Sequence, residues 1–157
     1  MTQEDEPLKG RRFILLDEDR FTARMIQTLL PTLGDVTLEV HPSIAEVVTA
    51  ANEALALPNG GEVIVLLDLD GEKRHGLTLL KQIRTGEAGL PRGLPVLALA
   101  GHSDQTLVLK AQELDVGAVL ARPLSRAALH AACRRLSPGG LAPRPAESYA
   151  AVSLPGG

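Results

Sequence analysis

At 157 residues the chain has the length of one domain with short appendages, too few for two independent cores. Hydrophobic residues make up 45% of it but aromatic residues only 2%, with no tryptophan, so Leu, Val, Ile and Ala must fill the core. The scarcity of rings argues against stacking on single-stranded nucleic acid, and a formal net charge of −3 gives no pull toward a polyanion. The single Cys133 cannot close an internal disulfide and reads as a small buried hydrophobe in a reducing compartment. No apolar run reaches the ~18 residues of a membrane helix, and Met1 to Pro7 are acidic and polar, unlike a signal peptide. The expectation is a cytoplasmic chain with no membrane or nucleic-acid partner.

In chain order, residues 1–10 are expected to be a flexible lead, and Lys9, Arg11 and Arg12 a solvated strand flank. Phe13-Ile14-Leu15-Leu16 then stops at Asp17, and Val63-Ile64-Val65-Leu66-Leu67 stops at Asp68. Continuous aliphatic runs of this length suit strands buried on both faces, as in a parallel sheet. Residues 36–40, 95–99 and 116–121 fit the same description less strongly. Between the runs lie helical stripes. Met25, Ile26, Leu29, Leu30 and Leu33 form the first, with Gly34 as its stop. Ser43 and Glu46 have capping-box spacing ahead of Val47, Val48, Ala51 and Leu55, and Pro58-Asn59-Gly60-Gly61 ends that helix. Leu77, Leu80 and Ile83 place a third helix, with Lys81 and Arg84 near its carbonyl end. Leu107, Val108, Ala111 and Leu114 place a fourth. Ser125 can cap a fifth through Ala128, Leu129, Ala132 and Leu136.

Strand followed by helix, five times over, predicts an α/β domain over residues 11–136: a five-stranded parallel sheet with helices on both faces. Residues 137–157, rich in proline and glycine, read as a disordered tail.

Ligands of open α/β sheets gather at the carboxyl ends of the strands. Asp17, Glu18 and Asp68 fall there. Three unpaired carboxylates repel one another, and a hard cation such as Mg²⁺ relieves that cost. Without the metal, removing Asp68 is expected to relieve the repulsion. With it, one carboxylate can attack a phosphoryl group and form an acyl phosphate. Arg122, ahead of Pro123 at the end of the fifth strand, is placed to steady the phosphoryl charge.

These segments, Phe13 to Asp19, Val65-Leu66-Leu67-Asp68, Pro95 to Leu99 and Arg122-Pro123, together resemble the successive signatures of bacterial response-regulator receiver domains. The match runs from about Arg12 to Leu136. The resemblance implies a flavodoxin-like fold, and the expectation is a signalling module and not an enzyme, with no output domain of its own. It implies phosphotransfer from a histidine kinase or phosphotransfer protein to Asp68. Asp17 and Glu18 match the acidic pair that holds Mg²⁺, and the Asp70 backbone carbonyl matches a further metal contact. Gly76 matches the glycine that opens the third helix, and the Arg122-Pro123 peptide is expected to be cis. Output is expected by contact with a downstream protein through the fourth helix, fifth strand and fifth helix.

Departures from the family pattern are specific. Asp70-Gly71-Glu72 stands where receivers usually continue Met-Pro. Ala100 replaces a hydroxyl residue, Val119 an aromatic and Arg122 a lysine. Loss of the hydroxyl and the ring points to an alternative, a pseudo-receiver that binds protein without phosphorylation. A flavodoxin-like enzyme or flavin carrier is disfavoured by the missing phosphate loop and the missing rings. Asp17 and Asp19 also suit helix caps, and Asp70 and Glu72 solvated loop acids. His41, His75, His102 and His130 show no metal-ligand spacing.

Overall fold

The computed structural model describes residues 7–17, 20–58, 61–70, 75–101, 105–137 and 139–155. Strands and helices alternate as β1 (Leu8–Leu16), α1 (Phe21–Leu29), β2 (Gly34–His41), α2 (Ile44–Ala56), β3 (Glu62–Asp68) and α3 (His75–Thr85). The chain continues with β4 (Val96–Ala100), α4 (Gln105–Glu113), β5 (Ala118–Ala121), α5 (Arg126–Arg135) and a short α6 (Ala146–Ala150). All strand pairs are parallel, in the order β2-β1-β3-β4-β5. This is the five-stranded flavodoxin-like sheet expected from the alternation of apolar runs and helical stripes.

Alternate residues of the central strands feed two separate cores, because successive side chains of a strand point to opposite faces. Ile14, Leu16, Val63, Val65 and Leu67 pack under α2, α3 and α4. Phe13, Leu15, Ile64, Leu66, Leu97 and Leu99 pack against Ile26 of α1 and Leu129, Ala132 and Cys133 of α5. Each such side chain contributes about 1.5–3 kcal/mol by leaving water. Caps foreseen in the sequence are formed: Ser43 Oγ accepts from Glu46 N (3.2 Å) and Ser125 Oγ from Ala128 N (3.1 Å). The Cys133 thiol is buried, and that burial pushes its pKa up to about 12, so it stays a neutral, inert packing group.

Both ends of the domain are more ordered than expected. The flexible lead does not extend to residue 10. Leu8 is buried, its amide donates to Leu33 O (2.7 Å), and β1 starts there, with a bulge before Arg11. Apolar burial of one leucine outweighs the polar look of its neighbours.

The disordered tail is likewise corrected over residues 139–155. Leu141 N donates to Gly93 O (2.9 Å), Lys81 Nζ to Val152 O (2.8 Å), and Tyr149 on α6 is fully buried in the α3–α4 core. The Tyr149 hydroxyl donates to Asp115 Oδ2 (2.7 Å) and accepts from Arg144 N (3.0 Å), while Arg92 and Arg144 lie over its ring. Hydrogen bonds from Tyr149 and Arg144 hold the Asp115 carboxyl below its ordinary range, overcoming the opposing and larger single effect of desolvation.

The same corner holds Arg84, which is fully buried. It lies in the last turn of α3, as expected, and reaches beyond its own helix. Its guanidinium donates to the carbonyls of Leu114 (3.0 Å), Arg92 (2.7 Å), Leu94 (2.9 Å) and Asp115 (2.8 Å). Burial lowers its pKa, the usual effect of desolvation on a cation.

Candidate functional site

Register brings the strand-end acids together. Leu16 pairs with Leu67 across β1 and β3, so Asp17 and Asp68 leave adjacent strands at the same level. On the other side of β3, Asp68 pairs with Leu99 of β4, and Ala100 pairs with Ala121 of β5, which puts Arg122 at the same rim. The Arg122-Pro123 peptide is cis, as the resemblance implied.

Asp68 sits at the centre of a bonded cluster. Its Oδ2 lies 2.7 Å from Arg122 Nη2 and accepts from Thr22 Oγ1 at 3.2 Å, while its Oδ1 accepts from Asp70 N at 2.8 Å. Arg122 Nη2 also donates to Thr22 Oγ1 (2.9 Å), and Arg122 Nε donates to Asp70 Oδ2 (3.2 Å). Burial alone would lower the Arg122 pKa, but Asp68 and Asp70 together raise it, so the cation is fixed. The expected crowd of unpaired carboxylates is therefore corrected: Asp68 carries a guanidinium as its own countercharge.

Asp17 is buried, and its Oδ2 accepts from Ala23 N (2.8 Å) in the first turn of α1. It thus performs the cap considered for it while standing beside Asp68. Arg20, the residue flanking α1, takes a left-handed φ of 66° and offers no side-chain cap, so the buried Asp17 carboxylate does that work instead. Glu18, Asp19, Gly71, Glu72 and His102 lie outside the described residues.

Two side chains of the site were missed from sequence. Thr22 looks like an ordinary helix residue. Only the start of α1 at Phe21 turns its hydroxyl onto Asp68. It supplies from α1 the kind of group that Ala100 lacks. Asp70 was expected to matter through its carbonyl, or to be a solvated loop acid. Its side chain instead accepts from Gly101 N (2.6 Å) as well as from Arg122. Gly76, expected at the opening of α3, has a steric reason: a Cβ there would lie 2.7 Å from Asp68 O.

For a divalent cation the donor chemistry fits. Asp17 and Asp68 present hard carboxylate oxygens at neighbouring strand ends, and Mg²⁺ needs only one or two carboxylates beside its waters. Among the described residues no three His, Cys, Asp or Glu side chains are grouped closely enough to form a cage by themselves.

No family model and no curated protein matches the chain. Solved structures do match its fold. FixJ-N aligns at 16% identity with a TM-score of 0.64, over 82% of this chain and 94% of its own. A response regulator receiver domain protein from Clostridium thermocellum aligns at 19% and 0.64, over 79% and 91%. A response regulator from Thermotoga maritima aligns at 17% and 0.61, over 82% and 97%. The chain has the fold of response-regulator receiver domains.

Proposed function

We propose that the protein is a receiver that accepts a phosphoryl group on Asp68 in a Mg²⁺-dependent step and signals by protein–protein contact. The observation that carries this reading is the joint approach of Arg122 and Thr22 to one oxygen of Asp68, at the carboxyl rim of the sheet. A carboxylate oxygen of Asp68 attacks phosphorus of a phosphohistidine on a kinase or phosphotransfer protein. The P–N bond breaks, the imidazole keeps the electron pair and takes a proton, and an acyl phosphate remains on Asp68. Arg122 stabilises charge on the transferring group, and the Thr22 hydroxyl offers it a hydrogen bond. Asp17 and Asp68, with Glu18 and the Asp70 carbonyl as the resemblance implies, would hold Mg²⁺, which would supply the remaining neutralisation.

Output runs through α4, β5 and α5, where Leu109 of α4 exposes an apolar side chain. No helix among the described residues is long and apolar enough to cross a membrane, in keeping with a cytoplasmic role. A second reading, the pseudo-receiver, is favoured by one contact: the Arg122 guanidinium is already engaged by both Asp68 and Asp70. Acetyl phosphate with Mg²⁺ separates the two. The receiver gains one phosphoryl mass on Asp68, and Asp68→Asn abolishes it. An unlabelled chain, or labelling that survives the substitution, overturns the reading.

A further inference from the structure

We propose that the Asp70 side chain is an internal occupant of the seat that an incoming phosphoryl group would use, and so sets how readily Asp68 is charged. The inference rests on the receiver reading of Asp68. A phosphoryl group brings several acceptor oxygens and a charge near −2. Four donors among the described residues cluster around the acceptor and its neighbour: the Thr22 hydroxyl, the amides of Asp70 and Gly101, and the Arg122 guanidinium. A single oxygen, Asp70 Oδ2, holds two of them, at 2.6 Å from Gly101 N and 3.2 Å from Arg122 Nε.

The packing is specific to this pair. Gly101 has no Cβ, and one built there would lie 3.3 Å from Asp70 Oδ2, tighter than side chains ordinarily tolerate. The chain thus joins a glycine after β4 to an acid two residues past the acceptor, and the acid fills the space. An anion entering the seat must displace Asp70 from Gly101 N and share Arg122 with it, against like-charge repulsion. In its resting state the rim already has the arrangement of donors that a bound oxyanion would impose. Phosphorylation then replaces one anion by another, and the rim rearranges little. This offers a physical reason for the loss of the hydroxyl at Ala100: the amide and the cation that would work beside it are already committed.

The test uses the full chain with Asp70→Asn and Asp70→Ala, titrated with beryllofluoride in Mg²⁺, while the Gly101 amide is followed by NMR. Both variants are expected to bind the mimic at least tenfold more tightly than the parent. In metal-free protein the Gly101 amide proton is expected to shift upfield in both, because the short bond to a carboxylate is gone. Equal or weaker binding by both variants, with the parent still binding, overturns the inference and leaves the receiver reading intact. An unmoved Gly101 resonance also overturns it. If none of the three proteins binds the mimic, the receiver reading fails, and the inference fails with it.

Discussion

Replacing Asp68 with alanine in metal-free protein removes three hydrogen bonds at once: from Arg122 at 2.7 Å, from Thr22 at 3.2 Å and from the Asp70 amide at 2.8 Å. All three are accepted by an ionised carboxylate, and such a bond is worth about 1.5–3 kcal/mol net when buried. Two effects reduce that sum. The Asp68 and Arg122 side chains keep 16% and 20% exposure, so water re-solvates part of what is lost, and Arg122 retains Asp70 as a partner. Relief of repulsion toward Asp17 and Asp70 returns a further part. The expected net loss is about 1–2 kcal/mol, well under the gross sum of about 4.5–9 kcal/mol. At this chain length each kcal/mol moves the melting temperature by about 2–4 °C, so a fall of about 2–8 °C is expected in chelator. Circular-dichroism melts of Asp68→Ala, Arg122→Ala and the double variant form a cycle whose coupling should reach about 1 kcal/mol. A rise in melting temperature for Asp68→Ala would mean that the acids repel more than the guanidinium holds, and the reasoning would be wrong.

Two further outcomes concern the opposite end of the sheet. Arg84→Leu strips the donors from four carbonyls and should destabilise the protein by about 3–5 kcal/mol in urea titration, with Arg84→Lys recovering part of it; a loss under about 1 kcal/mol would show that water replaces the guanidinium. Asp115 titrates below its ordinary value of 3.8 in the folded chain, so its contribution is complete above that pH and is lost as pH falls through the lower, folded value. Tyr149 is the sole tyrosine and there is no tryptophan, so tyrosine emission reports the tail directly. It should change on acidification below 3.8, with Asp115→Asn flattening the response, and an unchanged profile in that variant would assign the transition to other acids.

Strands β1, β3 and β4 were legible because burial on both faces writes itself as unbroken aliphatic runs, and the acids that end β1 and β3 marked the rim. The Arg122-Pro123 pair and Asp68 were legible for the same reason, as punctuation at strand ends. Thr22 was not, since its role depends on where α1 begins, and the capping acceptor is Asp17, six residues before Ala23. The partners of Arg84 are backbone carbonyls of distant segments, which leave no trace in side-chain identity. Composition misled at the C-terminus. Proline and glycine there read as disorder, yet Gly93 and Gly140 let two backbones meet, and a Cβ on either would collide with the other strap. Tyr149 was the available signal: one ring in a nearly ring-free chain, followed by two alanines, is an anchor more readily than an ornament of a loose tail.

The Arg84 cluster also bears on how the molecule opens. One guanidinium joins the turn at residues 92–94, the end of α4 and the end of α3, and the α6 strap closes over the same corner through Arg92 and Asp115. Pulling any one of these segments away would take carbonyl partners from a buried cation, which couples their opening. In native-state hydrogen exchange they should therefore open as one cooperative unit, with the residues of α6 in step with α3. Release of α6 should then be all-or-none, and not a fraying that proceeds residue by residue.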